Sequence, residues 1–378
     1  MKKVLLLLIA AYILIFSASP AVCGSLNNAG WTVCVSLVAQ KTYIYKNDEL
    51  ERILPCSTGV PGTADATPEG TFILNETGKD RGSQFYSPRY GDTAVFWVGF
   101  IGGTYVFRSV ALGADGKALN SALSKLGQPV THGSVCFSED DAHWFYRNVL
   151  DRSRVQICGE WDAGSTGVTC SIRTKDDVSA FLASDMDGYR QKHLLSCEIA
   201  LTRLSLALIG IRNLSENAIL DIIPKDGTDP EHFFVCDDID AGRRNRDGSI
   251  HWNNYGTHPP VVVNIINSFM RLYHANSSWS VQEMHADDVQ LREMIRNDPS
   301  FRGAILWLVG HPERWGTNPP VNERGMVLGE HVRFLEPVLG SGGCFRIRDP
   351  ETGRLIESEH TGAGRNLFSY RIAALFQS

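Results

Sequence analysis

The chain lacks the charge that a nucleic-acid partner would demand. Its 378 residues carry 36 Lys and Arg against 42 Asp and Glu, a formal charge of −6. Without Lys2 and Lys3 the count is 34 against 42, or −8. Phosphate backbones need a basic footprint, so no nucleic acid is expected. The glycine-rich "STGVPGTADATPEG" has neither a Gly-Lys-Ser/Thr ending nor a following helix, which makes it turn chemistry and excludes a nucleotide loop. There is no His/Glu pair at helical spacing and no paired CxxC, and "DDIDAGRRNRDG" lacks the glutamate and fixed spacing of a calcium loop. Neither a metal nor another cofactor is therefore expected. Internal repeats and low-complexity segments are absent too. After the N-terminus no apolar run approaches the roughly 20 residues that span a bilayer.

What remains is a globular composition, 43% hydrophobic and 21% charged, with a length that suits two domains. Lys2 and Lys3 precede an apolar run from Val4 to Phe16 and then small residues to Gly24, the layout of a secretory signal over residues 1–24. Export to the cell envelope, periplasmic or extracellular, is the expectation, with membrane contact only through this segment. Val22 stands where a lipidation signal takes a small residue, which argues against lipid anchoring at Cys23. Nine cysteines suit an oxidising compartment. Cys158 and Cys170, close across an expected hairpin, are the favoured bridge.

From Trp31 to about Cys170 the pattern is one of strands. "TVCVSLVAQKTYIYKNDELERILPCSTG" alternates across a turn at Asn47 and Asp48, a hairpin signal. Only "SEDDAHWFYRNVL", with Ser138 as N-cap and acidic residues in its first turn, reads as a helix. Charge rises around "RTKDD" and "SDMDG", so residues 173–189 are expected to form a linker between domains at 30–172 and 190–378. Beyond it, "CEIALTRLSLALIGI" is apolar on more than one face and reads as a buried helix. Further helices ("SENAIL", "PPVVVNIINSFMRLY", "VQLREMI") and then strands ("GAILWLVG", "EHVRFLEPVL", "CFRIRDP") predict an α+β domain.

The segment "PVTHGSVCFSEDDAHWFY" places His132, Ser134 and Cys136 in one strand-like run. Residues two apart on a strand share a face about 6.6 Å apart, so Ser134 and Cys136 are expected to point together. With "LVAQKTYIYKND", "PCSTGVPGTADATPEGTF" and "FYSPRYGDTAVFWVGFIGGTYVFRSV", this stretch resembles the L,D-transpeptidase (YkuD-like) family over Gly30 to Arg154. The resemblance implies a mainly-β sandwich that acylates a cysteine with peptidoglycan stem peptides. Thr131, His132 and Gly133 match the family's motif. Ser134 stands at the nucleophile's position, Cys136 at that of an Arg or Asn, and Arg108 where the upstream histidine belongs. Three readings stay open: a non-catalytic binder of stem peptides; Cys136 as nucleophile, with His132 as base and Arg108 favouring the thiolate; and Ser134 as nucleophile.

In the second half Cys197 opens the buried helix, where exposed backbone N–H groups favour a thiolate. His331 and Asp349 lie on consecutive strand-like runs joined by "GSGG", so antiparallel pairing brings them to one end of a hairpin. A carboxylate there fixes an imidazole tautomer. Gln191, six residues before Cys197, offers an amide to an oxyanion. "QKHLLSCEIALTRLSLALIGIRNLSENAILDIIPKD", "GTHPPVV", "GEHVRFL" and "RDPETG" resemble papain-like cysteine peptidases, most closely the bacteriocin-processing peptidase-like family. That resemblance implies Cys197 as nucleophile, His331 as general base and acid, Asp349 as orienter and Gln191 as oxyanion donor. The leading expectation is an exported cysteine peptidase whose first domain binds or remodels stem peptides. The alternatives are a transpeptidase working through Cys136 and a binding protein with no catalysis.

Overall fold

The computed structural model describes residues 30–161, 172–212, 214–225, 227–241, 249–273, 275, 278–309, 319–324, 326–362 and 371–378. The expected signal segment, with Cys23, and Cys170 of the expected bridge lie outside them. Cys158 is a free thiol, as are Cys56, Cys136, Cys236 and Cys344. No helix among the described residues is long and apolar enough to cross a membrane.

The first domain stacks two sheets. One has five strands, β1 (Trp31–Ser36), β2 (Lys41–Lys46), β3 (Glu49–Pro55), β4 (Gly70–Ile73) and β9 (Arg154–Cys158), in the order β3-β2-β1-β9-β4. The other has β5 (Arg81–Ser87), β6 (Asp92–Ile101), β7 (Tyr105–Ser109) and β8 (Val135–Phe137), in that order. Asn47 and Asp48 turn the β2–β3 hairpin with φ of 50° and 65°, as a type I′ turn requires. Val33, Val35 and Ile44 meet Val98, Phe107 and Phe137 between the sheets. Beyond the four-residue α1 (Asn120–Leu123), α2 (Glu139–Asn148) closes the sandwich core with Phe145; the Ser138 hydroxyl accepts the Asp141 amide, the cap read from the sequence.

The second domain is α+β, as expected. Its main sheet joins β12 (Trp279–His285), β13 (Phe301–Val309), β14 (Glu330–Leu339), β15 (Phe345–Arg348), β16 (Leu355–Ser358) and β17 (Arg371–Gln377), in the order β12-β17-β13-β14-β15-β16. Every pairing in it is antiparallel. One face packs on α3 (Lys175–Asp185), α4 (Cys197–Ile209) and α6 (Pro259–Leu272), the other on α7 (Asp288–Asn297). Ile305 and Trp307 point to the first face, Ala304, Leu306 and Leu308 to the second. The short α5 (Glu216–Leu220) and the two-stranded β10 (Val235–Cys236) and β11 (Asn254–Gly256) complete the domain.

The expected linker at 173–189 is instead ordered core. Thr174 and Asp177 form a reciprocal capping box for α3, so the charge that suggested a linker is helix-start chemistry. Val178, Phe181, Leu182 and Met186 are buried in the cluster around α4. The two domains also share that cluster, because Cys34, Tyr43, Tyr45 and Ile53 enter it from the outer face of the five-stranded sheet. Its edge is covered as well: the Arg52 Nε donates to both Asp221 oxygens (2.9 and 2.8 Å), the Ile53 amide donates to Asp221 (2.6 Å), and the Ser215 amide to the Leu50 carbonyl (3.0 Å). Burial pushes the Asp221 carboxyl up in pKa against the pull of Arg52, so Asp221 depends on its donors. Arg52→Ala is expected to destabilise the whole chain by about 3 kcal/mol, as loss of a partner to a buried charge does. Urea unfolding should show it as a lower midpoint of one transition; two separated transitions in the parent protein would disprove the shared core.

Candidate functional site

The first candidate site lies where β7 and β8 run parallel, with Arg108 paired in register with Cys136. Cys136 exchanges backbone hydrogen bonds with Ser57, 2.8 Å in both directions. The turn before it is tightly specified: Thr67 donates its hydroxyl to the Gly133 carbonyl at 2.9 Å, and Gly133 sits at φ +97°, where a Cβ would lie 2.6 Å from the Tyr105 ring. Only glycine fits there. Cys136, Arg108, His132, Ser57, Asp92 and Lys125 line one cavity of about 240 Å³.

Ser134 does not line that cavity, which corrects the expectation that it shares a face with Cys136. Strand β8 begins only at Val135, and the turn before it ties the Ser134 carbonyl to the Thr131 hydroxyl at 2.6 Å. The alternation argument fails because Ser134 is not in the strand.

Arg108 is 6% exposed. Its Nη1 donates to the Ser109 carbonyl (3.2 Å), its Nη2 lies 3.3 Å from Asp92 Oδ2, and its plane sits 5.3 Å from the Phe85 ring centre. Burial pushes the Cys136 thiol up in pKa and outweighs the opposite pull of Arg108, while Asp92 adds to the rise. The thiol therefore rests protonated, where Arg108 was expected to hold a thiolate. His132 stacks on Tyr90 with ring centres 3.7 Å apart, and its Nδ1 is 3.1 Å from Asp65 Oδ2. Hydrogen bonds from His132 and Tyr90 hold the Asp65 carboxyl below its ordinary value. Asp65 and Tyr90 come from distant loops, so sequence spacing carried no signal for them.

The second candidate site is only partly joined. His331 Nε2 is 3.3 Å from Asp349 Oδ2, as antiparallel pairing implied. Arg333 Nε reaches the same oxygen at 2.9 Å, and the Glu351 amide reaches Oδ1 at 2.9 Å. Cys197 begins α4, and its Sγ contacts Glu198 Oε2 at 3.0 Å. The buried Glu198 also accepts the Thr257 amide at 2.9 Å; Gly256, at φ +115°, leaves room for it, since a Cβ there would lie 2.0 Å from Glu198 Oε1. The Gln191 Nε2 is occupied by the His193 carbonyl at 3.1 Å. Among the described residues no hydrogen bond joins the Cys197 thiol to His331. Register explains the gap: His331 pairs with Leu308, which packs on the α7 side of the sheet, while Cys197 packs with α4 on the other.

His331, Asp349 and Glu351 bring donor atoms within 4.8 Å of one another, a cluster the sequence reading did not foresee. The Arg333 guanidinium already neutralises Asp349, so the arrangement is an imidazole–carboxylate pair braced by a cation. Burial raises the Asp349 carboxyl, but the hydrogen bonds and charges of His331 and Arg333 outweigh it and hold the group well below the usual carboxylate range. A depressed pKa of this kind stabilises the fold fully above the unfolded value of about 3.9 and is lost as pH falls through the folded one. Arg333→Leu should therefore move the Asp349 titration, followed by carboxyl-carbon NMR, to higher pH, and begin the acid loss of stability earlier. An unmoved titration would show that Arg333 does not brace the pair.

In comparisons with known proteins, residues 30–157 match the family model described as the L,D-transpeptidase catalytic domain, YkuD. YciB of Bacillus subtilis (strain 168), named as an L,D-transpeptidase on a provisional assignment, is 33% identical over 125 residues, which is 32% of this chain and 63% of that protein. A solved L,D-transpeptidase from Mycobacterium smegmatis is 20% identical across 34% of this chain and 58% of its own, with a TM-score of 0.28. One from Mycobacterium tuberculosis H37Rv is 18% identical across 34% and 57%, with a TM-score of 0.29. The chain thus spans less than two thirds of the length of these relatives. The family match thus identifies the β domain at residues 30–157 as L,D-transpeptidase-like.

Proposed function

We propose that this protein is an exported cell-envelope enzyme that acts on peptidoglycan stem peptides, with Cys136 as the thiol that takes up the acyl group. The observation that carries this reading is the shared cavity of Cys136 and His132, with Arg108 opposite the thiol and Ser134 outside. In this scheme His132 takes the thiol proton through Nε2 while Asp65 fixes the ring through Nδ1. Sγ then attacks a peptide carbonyl, the C–N bond breaks, and the amine leaves with the proton. An acceptor amine resolves the thioester and returns the thiol.

A second reading is supported by the His331–Asp349 pair: a papain-like peptidase in the second domain, with Cys197 as nucleophile and Gln191 on the oxyanion. That reading needs His331 Nδ1 and the Cys197 thiol to meet when substrate binds, since catalytic contacts in free enzymes are often loose.

The full chain, incubated with a stem tetrapeptide and an acceptor amine, separates the two. Cys136→Ala is expected to lower product formation by at least about 10³-fold, as loss of a covalent nucleophile does, and intact mass should show the acyl group on Cys136. Turnover that survives Cys136→Ala and disappears in Cys197→Ala would move the chemistry to the second domain. Because the Cys136 thiol is raised, its alkylation rate should still be climbing above pH 9; a plateau near pH 7 would contradict the buried, protonated thiol.

A further inference from the structure

We propose that Glu198 is a positioning residue for Cys197: it accepts the hydrogen bond of the thiol and keeps the sulfur protonated until the imidazole of His331 reaches it. This deepens the second reading above, yet its test reads thiol chemistry and stands whether or not the second domain cleaves peptides.

Consecutive residues of a helix do not face each other, so a contact between the side chains of Cys197 and Glu198 needs something to hold it. The loop before α6 supplies that hold. Glu198 Oε2 lies 3.0 Å from Cys197 Sγ while Oε1 accepts the Thr257 amide at 2.9 Å. Thr257 is fixed in turn, its hydroxyl 3.0 and 2.9 Å from the Pro230 and Phe233 carbonyls and its own carbonyl accepting the Trp307 indole at 2.8 Å. Both members of the pair are buried, so water does not screen them.

An ionised carboxylate only accepts hydrogen bonds. The thiol proton therefore points at Oε2, and losing it would set a second negative charge beside the first. The start of α4 pulls the other way, but with roughly half a charge spread over several amides. A full charge in contact outweighs it, which reverses the expectation that opening the helix makes Cys197 a thiolate. The titratable groups around the pair do not relieve it. Cys236 on β10 is pushed up to about 12 by burial and then by the charges of Glu198, Asp238 and Asp237. Burial lowers His258, ahead of α6, in spite of Glu231 and Glu198, so it offers no standing cation. His193, in the loop before α4, is paired with Asp240 at 2.9 Å, and Glu216 on α5 accepts the Lys192 amide of that loop at 3.1 Å. Among the described residues no lysine or arginine pairs with Glu198.

Under the second reading the S–H bond breaks, the proton passes to a ring nitrogen of His331, and a thiolate is left beside an imidazolium. Glu198 confines the thiolate to that state.

The test alkylates the full chain with iodoacetamide across a range of pH and follows the rate at Cys197 alone by peptide mass spectrometry. In the parent the rate should still be rising above about pH 8.5, the ordinary thiol value. Glu198→Gln keeps an acceptor for Thr257 and turns an amide donor toward the sulfur. Its half-maximal pH should fall by at least about one unit, which makes labelling at pH 7 about tenfold faster. Glu198→Asp, which retracts the carboxylate but keeps its charge, should fall by less, and it carries the test should Glu198→Gln fail to fold. A purely structural role would change the unfolding midpoint or scale the rate equally at every pH, leaving the half-maximal pH where it is. An early plateau in the parent, or a half-maximal pH that is unmoved or higher in the variants, overturns the proposal. A lowered half-maximal pH with no peptide hydrolysis sinks only the peptidase reading; hydrolysis that needs Cys197, with the half-maximal pH unmoved, sinks only the role of Glu198.

Discussion

The structure turns on a helix that has no solvent face. Every residue of α4 from Cys197 to Ile209 is buried, so the helix must be walled on all sides. The sheet of the second domain supplies Trp307 and Phe334, α6 supplies Ile266 and Phe269, and the first domain supplies Tyr43, Tyr45 and Ile53 to the same cluster. Even its arginine is used up inside: Arg203 donates to the carbonyls of Leu214 and Gly188 and reaches Glu49 on β3. A helix so enclosed cannot be covered by one domain, and that requirement fuses the two halves into one unit.

The same constraint explains what sequence reasoning could and could not find. Elements with local signals were legible: the Asn47–Asp48 hairpin, the Ser138 cap, the length of α4 and the apolar runs of β13 to β15. The boundary between domains was not. Residues 173–189 carry high charge because a capping box and a solvent-facing stripe are polar, while their buried stripe holds Val178, Phe181, Leu182, Met186 and Tyr189. Without knowing that α4 needs cover on that side, nothing in the segment favours a packed helix over a linker. Strands β1 and β2 were legible as strands, although the sheet they belong to is covered on both faces and buries residues of either parity.

At the sites, chemistry was legible one strand at a time and geometry was not. The run around His132 and Cys136 announced itself, yet its position opposite Arg108 depends on a parallel pairing that no local pattern reports. Asp65 and Tyr90 arrive from separate loops to hold His132. In the second domain, pairing of His331 with Asp349 followed from a hairpin and could be read. Which face of the sheet His331 takes depends on register against β13, and that register separates it from the side on which Cys197 packs.

The two charged centres differ in a way that bears on function. Asp349 is over-provided: an imidazole, a guanidinium and backbone amides converge on one carboxylate, whose pKa is held low and whose orientation is fixed. Such a group has its partners within the fold and serves the histidine beside it. Arg108 is the reverse case, a buried cation with one unpartnered donor and a single carboxylate contact, 3.3 Å to the partly exposed Asp92. Burying a charge without full pairing costs several kcal/mol, and the fold carries that cost at the strand position directly opposite the Cys136 thiol.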